Sequence, residues 1–263
     1  MILHACWQGD HHSRKPVLVW LHGFLGSAAD WLPVQTALSD WPQLSVDLPG
    51  HGGSQAQQTG GFETLSASLN ATLRLHRVQR YWLIGYSLGG RVALYHACRH
   101  ALPGLAGLIV EGGHYGLELA EQRHTRLAGD LSWANRFRQQ PLQSTLEAWY
   151  QQPVFSDLTA SQRANLVRLR LNNHRAALAE MLLATSLSQQ PWLLPELHRL
   201  TVPLHYFCGE RDRKFQQLAA QASLPCEVIS AAGHNAHRAN PTVFAHRLAQ
   251  RLTLFRSSDD LSR

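Results

Sequence analysis

No uninterrupted apolar run in this 263-residue chain approaches the ~18 residues that suggest a membrane span. The stretch 1–16 is rich in His and polar side chains and lacks the apolar core of a secretory signal. Membrane insertion is thereby excluded, and a cytoplasmic location is the expectation. Cysteine is scarce: Cys6, Cys98, Cys208 and Cys226 are widely spaced and form no Cys-x-x-Cys pair, which excludes a zinc site or a disulfide framework and leaves reduced, structural thiols. Lysine is scarcer still. Nearly all the basic residues behind the net charge of +6 are Arg, and they are scattered, with no basic cluster or nucleic-acid motif. Nucleic acid is therefore not an expected partner. Arginine is also the side chain that grips carboxylates through two parallel hydrogen bonds. What remains, 44% hydrophobic and 16% charged residues without internal repeat or low-complexity segment, is the composition of a soluble globular protein. Its length fits one large α/β domain or such a domain with an insertion.

Short apolar runs at 17–21, 44–48, 81–84, 105–110, 204–207 and 226–230 read as strands, most of them closed by Gly or Pro. Between them, Phe62, Leu65, Leu69 and Leu73 recur at helical spacing, and helices are expected over 88–98 and 242–255. Alternating strand and helix predicts a parallel sheet. From 114 to 190 strand-like runs vanish, while Trp133, Phe137, Leu146, Trp149, Leu166, Leu169, Leu178 and Leu182 mark several helices. The plan is an α/β core over 1–113 and 191–263, interrupted by a helical cap over 114–190, with a polar tail fraying from about 256.

Gly85-Tyr86-Ser87-Leu88-Gly89 matches G-x-S-x-G between an expected strand and an expected helix, the context of a strained turn that lifts a nucleophilic serine above a sheet. His22-Gly23-Phe24 follows the first strong strand, where this architecture places the loop that supplies one oxyanion-hole NH. The other NH belongs to the residue after the serine, so Phe24 and Leu88 are the expected main-chain donors, and His22 is expected to shape the loop. An acid and then a histidine must follow the serine in chain order. Asp212 and His234 each lie beyond a late strand, and a buried carboxylate there would hold the histidine's tautomer. Glu111 is the competing acid. The other histidines, including His51, His114 and His237, are expected on loops, at the surface or facing substrate.

Val46-Asp47-Leu48-Pro49-Gly50-His51-Gly52-Gly53-Ser54 and the serine turn resemble the α/β-hydrolase superfamily at large. The resemblance narrows at Val110-Glu111-Gly112-Gly113-His114, Trp149-Tyr150-Gln151-Gln152-Pro153-Val154-Phe155, Cys208-Gly209-Glu210-Arg211-Asp212 and Ala232-Gly233-His234-Asn235-Ala236-His237-Arg238. These segments are similar to the family of SHCHC synthases of menaquinone biosynthesis, and the likeness runs from Met1 to about Phe255. It implies an α/β-hydrolase fold with a helical cap, and a lyase that removes pyruvate from 2-succinyl-5-enolpyruvyl-6-hydroxy-3-cyclohexene-1-carboxylate. It implies no cofactor and no metal. Carried over, Ser87, Asp212 and His234 form the triad, while Tyr86, Arg91, Arg126, Trp149 and Arg170 bind a small polycarboxylate. Arg123, one turn from Arg126, is the alternative at that position. Tyr115 and Leu171 depart from the family pattern, where Pro and a small polar residue are expected.

The same triad also serves esterases and carbon–carbon bond hydrolases, in which water is a reactant. The cap and elbow arginines weigh toward the lyase, since a neutral ester pocket does not require them, whereas a tricarboxylate needs bidentate partners to leave water. A non-catalytic receptor on the same fold would tolerate loss of triad members, and none is lost.

Overall fold

The computed structural model describes residues 1–254, so the tail expected from 256 and the last expected helical residue, Phe255, lie outside the described residues. Seven strands make one sheet: β1 (Ala5–Gln8), β2 (Val17–Leu21), β3 (Gln43–Val46), β4 (Tyr81–Tyr86), β5 (Leu105–Glu111), β6 (Leu204–Gly209) and β7 (Cys226–Ile229). Their order is β1-β3-β2-β4-β5-β6-β7. All neighbours run parallel except β1, which pairs antiparallel with β3 from Ala5 opposite Val46 to Gln8 opposite Gln43.

The helices that matter for the site are α1 (Phe62–Leu75), α2 (Leu88–Arg99), the cap helices α3 (Ala120–Gln139), α4 (Leu142–Trp149), α5 (Ala160–Arg170) and α6 (Arg175–Ala184), then α7 (Arg213–Gln221) and α8 (Pro241–Leu254). No helix among the described residues is long and apolar enough to cross a membrane.

Strands β2, β4 and β5 are buried along their whole length, because helices cover both faces of the sheet; that is why they read as continuous apolar runs. The two-residue period of a strand then divides the core. Val19, Leu21, Leu83, Leu108 and Val110 face α1, α2 and α7, packing with Leu65, Leu69, Val92 and Phe215. Trp20, Trp82, Ile84, Ile109 and Phe207 face the other way, against Trp31 and, from α8, Phe244 and Leu248. Fully buried Phe207 and Phe244 contribute on the order of 1.5–3 kcal/mol each. The cap has its own cluster, built from Phe137, Leu146, Leu166, Leu178 and Leu182, and it takes in Leu25 from the loop after β2. That contact seats the cap over the carboxyl ends of the strands.

Strand β1 and helix α7 are absent from the sequence-based expectation. β1 alternates half-buried and exposed residues at a sheet edge, so it offers no apolar run. α7 turns only Phe215 and Ala219 fully inward.

Candidate active site

Ser87 sits at the end of β4 with φ 49° and ψ −105°, a conformation that costs a non-glycine residue on the order of 1–3 kcal/mol. The surroundings enforce it. The Ser87 NH donates to the Glu111 carbonyl at 2.8 Å, and the Ser87 carbonyl accepts the Arg91 NH at 2.9 Å as α2 begins. Space is withheld on both sides: a Cβ on Gly85 would stand 2.3 Å from the Gly89 oxygen, and one on Gly89 2.3 Å from the Leu21 oxygen.

His234 follows β7 and reaches back to the serine. Its Nε2 lies 3.3 Å from Ser87 Oγ, and its Nδ1 lies 2.7 Å from Asp212 Oδ2. Since the carboxylate can only accept, Nδ1 carries the proton and Nε2 is free to accept from the serine hydroxyl. Asp212 and His234 are both buried, so the pair is shielded from competing water. The ring is packed between Phe215, stacked at 4.8 Å, and Tyr86 at 5.3 Å. Gly112 has φ 56°, and a Cβ there would stand 2.7 Å from His234 Cε1, so the loop after β5 must lack a side chain for the imidazole to fit.

The competing acid is engaged elsewhere. Glu111 accepts from His237 Nδ1 at 2.7 Å and from the His237 NH at 3.1 Å, and both side chains are almost wholly buried. His237, expected on a loop, at the surface or facing substrate, is therefore buried; its ring lies tilted against Trp31 at 4.4 Å and Tyr86 at 4.7 Å. Tyr86 donates its hydroxyl to Asn235 Oδ1 at 2.9 Å. Burial, reinforced by the Glu111 charge, pushes its pKa well above the ordinary value, so it remains a neutral donor. Glu111, Asn235 and His237 thus fix the turn that carries His234. Only their places in the 110–114 and 232–238 segments marked them beforehand.

The loop after β2 is held by two neutral imidazoles. His22 donates from Nδ1 to the Gly23 carbonyl at 2.7 Å and accepts the Leu48 NH at Nε2 at 3.0 Å. His51, for which a loop, the surface or a substrate-facing place was expected, lies in a loop and is fully buried; it donates from Nδ1 to Pro49 at 2.9 Å and accepts the Leu25 NH at 3.0 Å. Burial first, and then the proximity of His22, hold His51 at about 3. Phe24 lies between these anchors, and its NH has no hydrogen-bond partner among the described residues. Leu88 is the first residue of α2, so its NH has no acceptor within the helix.

A stability consequence follows for His51. Unfolded, it titrates near 6.5; folded, near 3; between these values only the unfolded chain binds the proton. Unfolding free energy should therefore fall as pH drops through that window, by about 1.4 kcal/mol per pH unit from this residue. Urea unfolding at several pH values from 6.5 to 4 should show a slope smaller by about that amount in His51→Gln than in the wild type. Equal slopes would contradict the neutral, buried assignment.

The sequence-derived arginines fall into two groups. Arg126 and Trp149 line a cavity of about 640 Å³ together with His114, Asp130, Trp133 and Lys214. The cavity adjoins the loop after β2, because Trp149 packs on Phe24 with ring centroids 5.1 Å apart. Arg123, by contrast, donates to the Leu117 carbonyl at 2.8 Å and does not line this cavity. Arg91 and Arg170 are not open cations. Arg91 donates to Gln190 at 2.7 Å and to the Thr185 carbonyl, and burial followed by repulsion from Arg126 brings its pKa down to about 9. Arg170 is buried and donates to Asp30 Oδ2 at 2.7 Å, while Arg238 donates to Oδ1 of the same carboxylate at 2.7 Å. No group of three or more His, Cys, Asp or Glu suited to a metal ion occurs among the described residues.

A family model described as alpha/beta hydrolase fold matches residues 16–241. The 2-succinyl-6-hydroxy-2,4-cyclohexadiene-1-carboxylate synthases of Yersinia pseudotuberculosis serotype O:3 (strain YPIII) and Yersinia pestis (strain Pestoides F) are each 57% identical to this chain over 235 residues, spanning 89% of it and 86% of the relative. Among solved structures, MenH from S. aureus matches with a TM-score of 0.90 at 27% identity, covering 96% of this chain and 99% of its own. The enol-lactonase from Burkholderia xenovorans LB400 matches at 0.77 with 19% identity over 95% and 96% of the two chains, a likeness of fold alone.

Proposed function

Because this chain belongs to the 2-succinyl-6-hydroxy-2,4-cyclohexadiene-1-carboxylate synthase family of α/β hydrolases, we propose that Ser87, His234 and Asp212 drive that synthase's elimination by moving protons. The reaction expels pyruvate from 2-succinyl-5-enolpyruvyl-6-hydroxy-3-cyclohexene-1-carboxylate. The observation that carries the assignment is the chain of hydrogen bonds from buried Asp212 through buried His234 to the strained Ser87.

A 2,5-elimination removes a ring proton and breaks the bond to the enolpyruvate oxygen; it offers no acyl group that must pass to serine. Ser87 Oγ takes the ring proton as its own passes to His234 Nε2, and Asp212 stabilises the imidazolium. The electron pair left on the ring is delocalised onto the succinyl ketone, whose developing charge meets the NH groups of Phe24 and Leu88. As the carbon–oxygen bond breaks, pyruvate departs as its enol, with the His234 imidazolium as proton source. Tyr86, Arg91, Arg126, Trp149 and Arg170 are assigned to the substrate. Arg126 and Trp149 line the cavity, while Arg91 and Arg170 must share or exchange their present protein partners to reach a carboxylate.

Two measurements test this reading. Purified protein incubated with the enolpyruvyl intermediate should release pyruvate with the rise of diene absorbance; no release would end the assignment. Rapid-quench intact mass spectrometry during turnover should find Ser87 unmodified, and deuterium at the ring proton should slow single-turnover chemistry. A covalent adduct on Ser87 that forms and decays at the turnover rate would replace the base mechanism with nucleophilic catalysis, the hydrolase alternative.

A further inference from the structure

Lys214 is a cation that nothing in the fold requires. It is one of two lysines in the chain, and it stands in the first turn of α7, where the helix dipole disfavours positive charge. Among the described residues it has no carboxylate partner; its ammonium lies only over the Phe215 ring, 5.5 Å from the centroid. The residue is exposed overall, yet it borders the 640 Å³ cavity, where partial burial and then the Arg126 charge hold its pKa below that of an ordinary lysine.

Two further donors share that wall. Arg126 commits only Nε, to Asp130 at 2.9 Å, and its terminal nitrogens have no partner among the described residues. His114 accepts the Gly116 NH at Nδ1 (3.1 Å), so as a neutral ring it carries its proton on Nε2. Of the acids on the wall, Asp130 is taken by Arg126 and Ser186, and Glu121 is exposed and pairs with neither cation.

We propose that Lys214 is a specificity-determining residue that, with Arg126 and His114, anchors the terminal carboxylate of the substrate's succinyl arm. The inference rests on the reaction proposed above. With the succinyl ketone at the Phe24 NH, the two methylenes beyond it carry the carboxylate past Trp149, which packs on Phe24, into the cavity that Trp149, Arg126 and Lys214 line. Because Lys214 is two residues after Asp212, the anchor and the triad acid share one turn.

The test uses Lys214→Gln and Lys214→Arg, with succinate and pyruvate as separate probes. Lys214→Gln should raise KM by about 10-fold or more while kcat stays within about 3-fold, the pattern of binding lost equally from ground and transition states. Lys214→Arg should recover most of the loss. Competitive inhibition by succinate should weaken by a similar factor and inhibition by pyruvate should not. An unchanged KM, a loss confined to kcat, or a weakened response to pyruvate alone overturns the proposal. Calorimetric binding of succinate to wild type and Lys214→Gln requires no turnover. If succinate binding depends on Lys214 but the wild type releases no pyruvate, the anion site stands and the reaction assignment falls.

Discussion

Replacing Ser87 with Ala is expected to lower kcat by about 10⁵- to 10⁶-fold, His234→Ala should do nearly the same, and the double variant should be little worse than either. In the proposed mechanism the three residues form one proton path, so removing any link would close it. Asp212→Asn should cost about 10⁴-fold. An amide can still meet His234 Nδ1, but by donating to it, which leaves Nε2 protonated and unable to accept from Ser87. Thermal midpoints should remain near that of the wild type for Ser87→Ala, since the strained turn is held by main-chain bonds to Glu111 and Arg91 rather than by the hydroxyl. Single-turnover pyruvate release measures the chemistry without product release. If Asp212→Asn is fully active while Glu111→Gln is dead, the acid is the one after β5. The geometry weighs against that outcome, because Glu111 lies 2.7 Å from His237 and not from His234.

The largest loss of stability is expected at Asp30. Its two oxygens receive Arg170 from cap helix α5 and Arg238 from the turn beyond His234, so one carboxylate ties the cap to the segment that carries His234. Burial alone would raise its pKa, but the two guanidinium groups outweigh that and hold it below the ordinary carboxylate range. Asp30→Ala leaves Arg170 buried without its counter-ion, which should cost about 3–5 kcal/mol. Denaturant unfolding at neutral pH should show it as a fall in the midpoint. Adding Arg170→Met should restore part of the loss, because removing the stranded charge repairs most of what the first substitution breaks. A second substitution that deepens the loss would show that Arg170 is held by something other than Asp30.

Strand-by-strand, the sequence disclosed what is buried on both sides. Val17–Leu21 and Leu105–Glu111 lie under helices on each face and read as apolar runs, whereas β1 does not, because an edge strand with one wet face carries Trp7 and Gln8 in place of such a run. The chemistry of the elbow was legible because its glycines are dictated by backbone contacts shorter than a Cβ permits. Partnerships between distant segments were not. Nothing local to Asp30 announces that Arg170 and Arg238 will converge on it, and His237 looks like any loop histidine until β5 brings Glu111 to it. Arginine composition pointed toward carboxylates, but for Arg170 the structure supplies one from the protein itself.

Strand β6 pairs with β5 only after all four cap helices have been synthesised, and Asp212 and His234 follow later still. On the ribosome, a nascent chain that has already formed the serine turn therefore still lacks His234 and Asp212, the groups proposed to activate it. The free side of β5 meanwhile presents an open edge able to pair with another chain. Premature termination or slow translation through the cap should thus yield material that is prone to association through that edge.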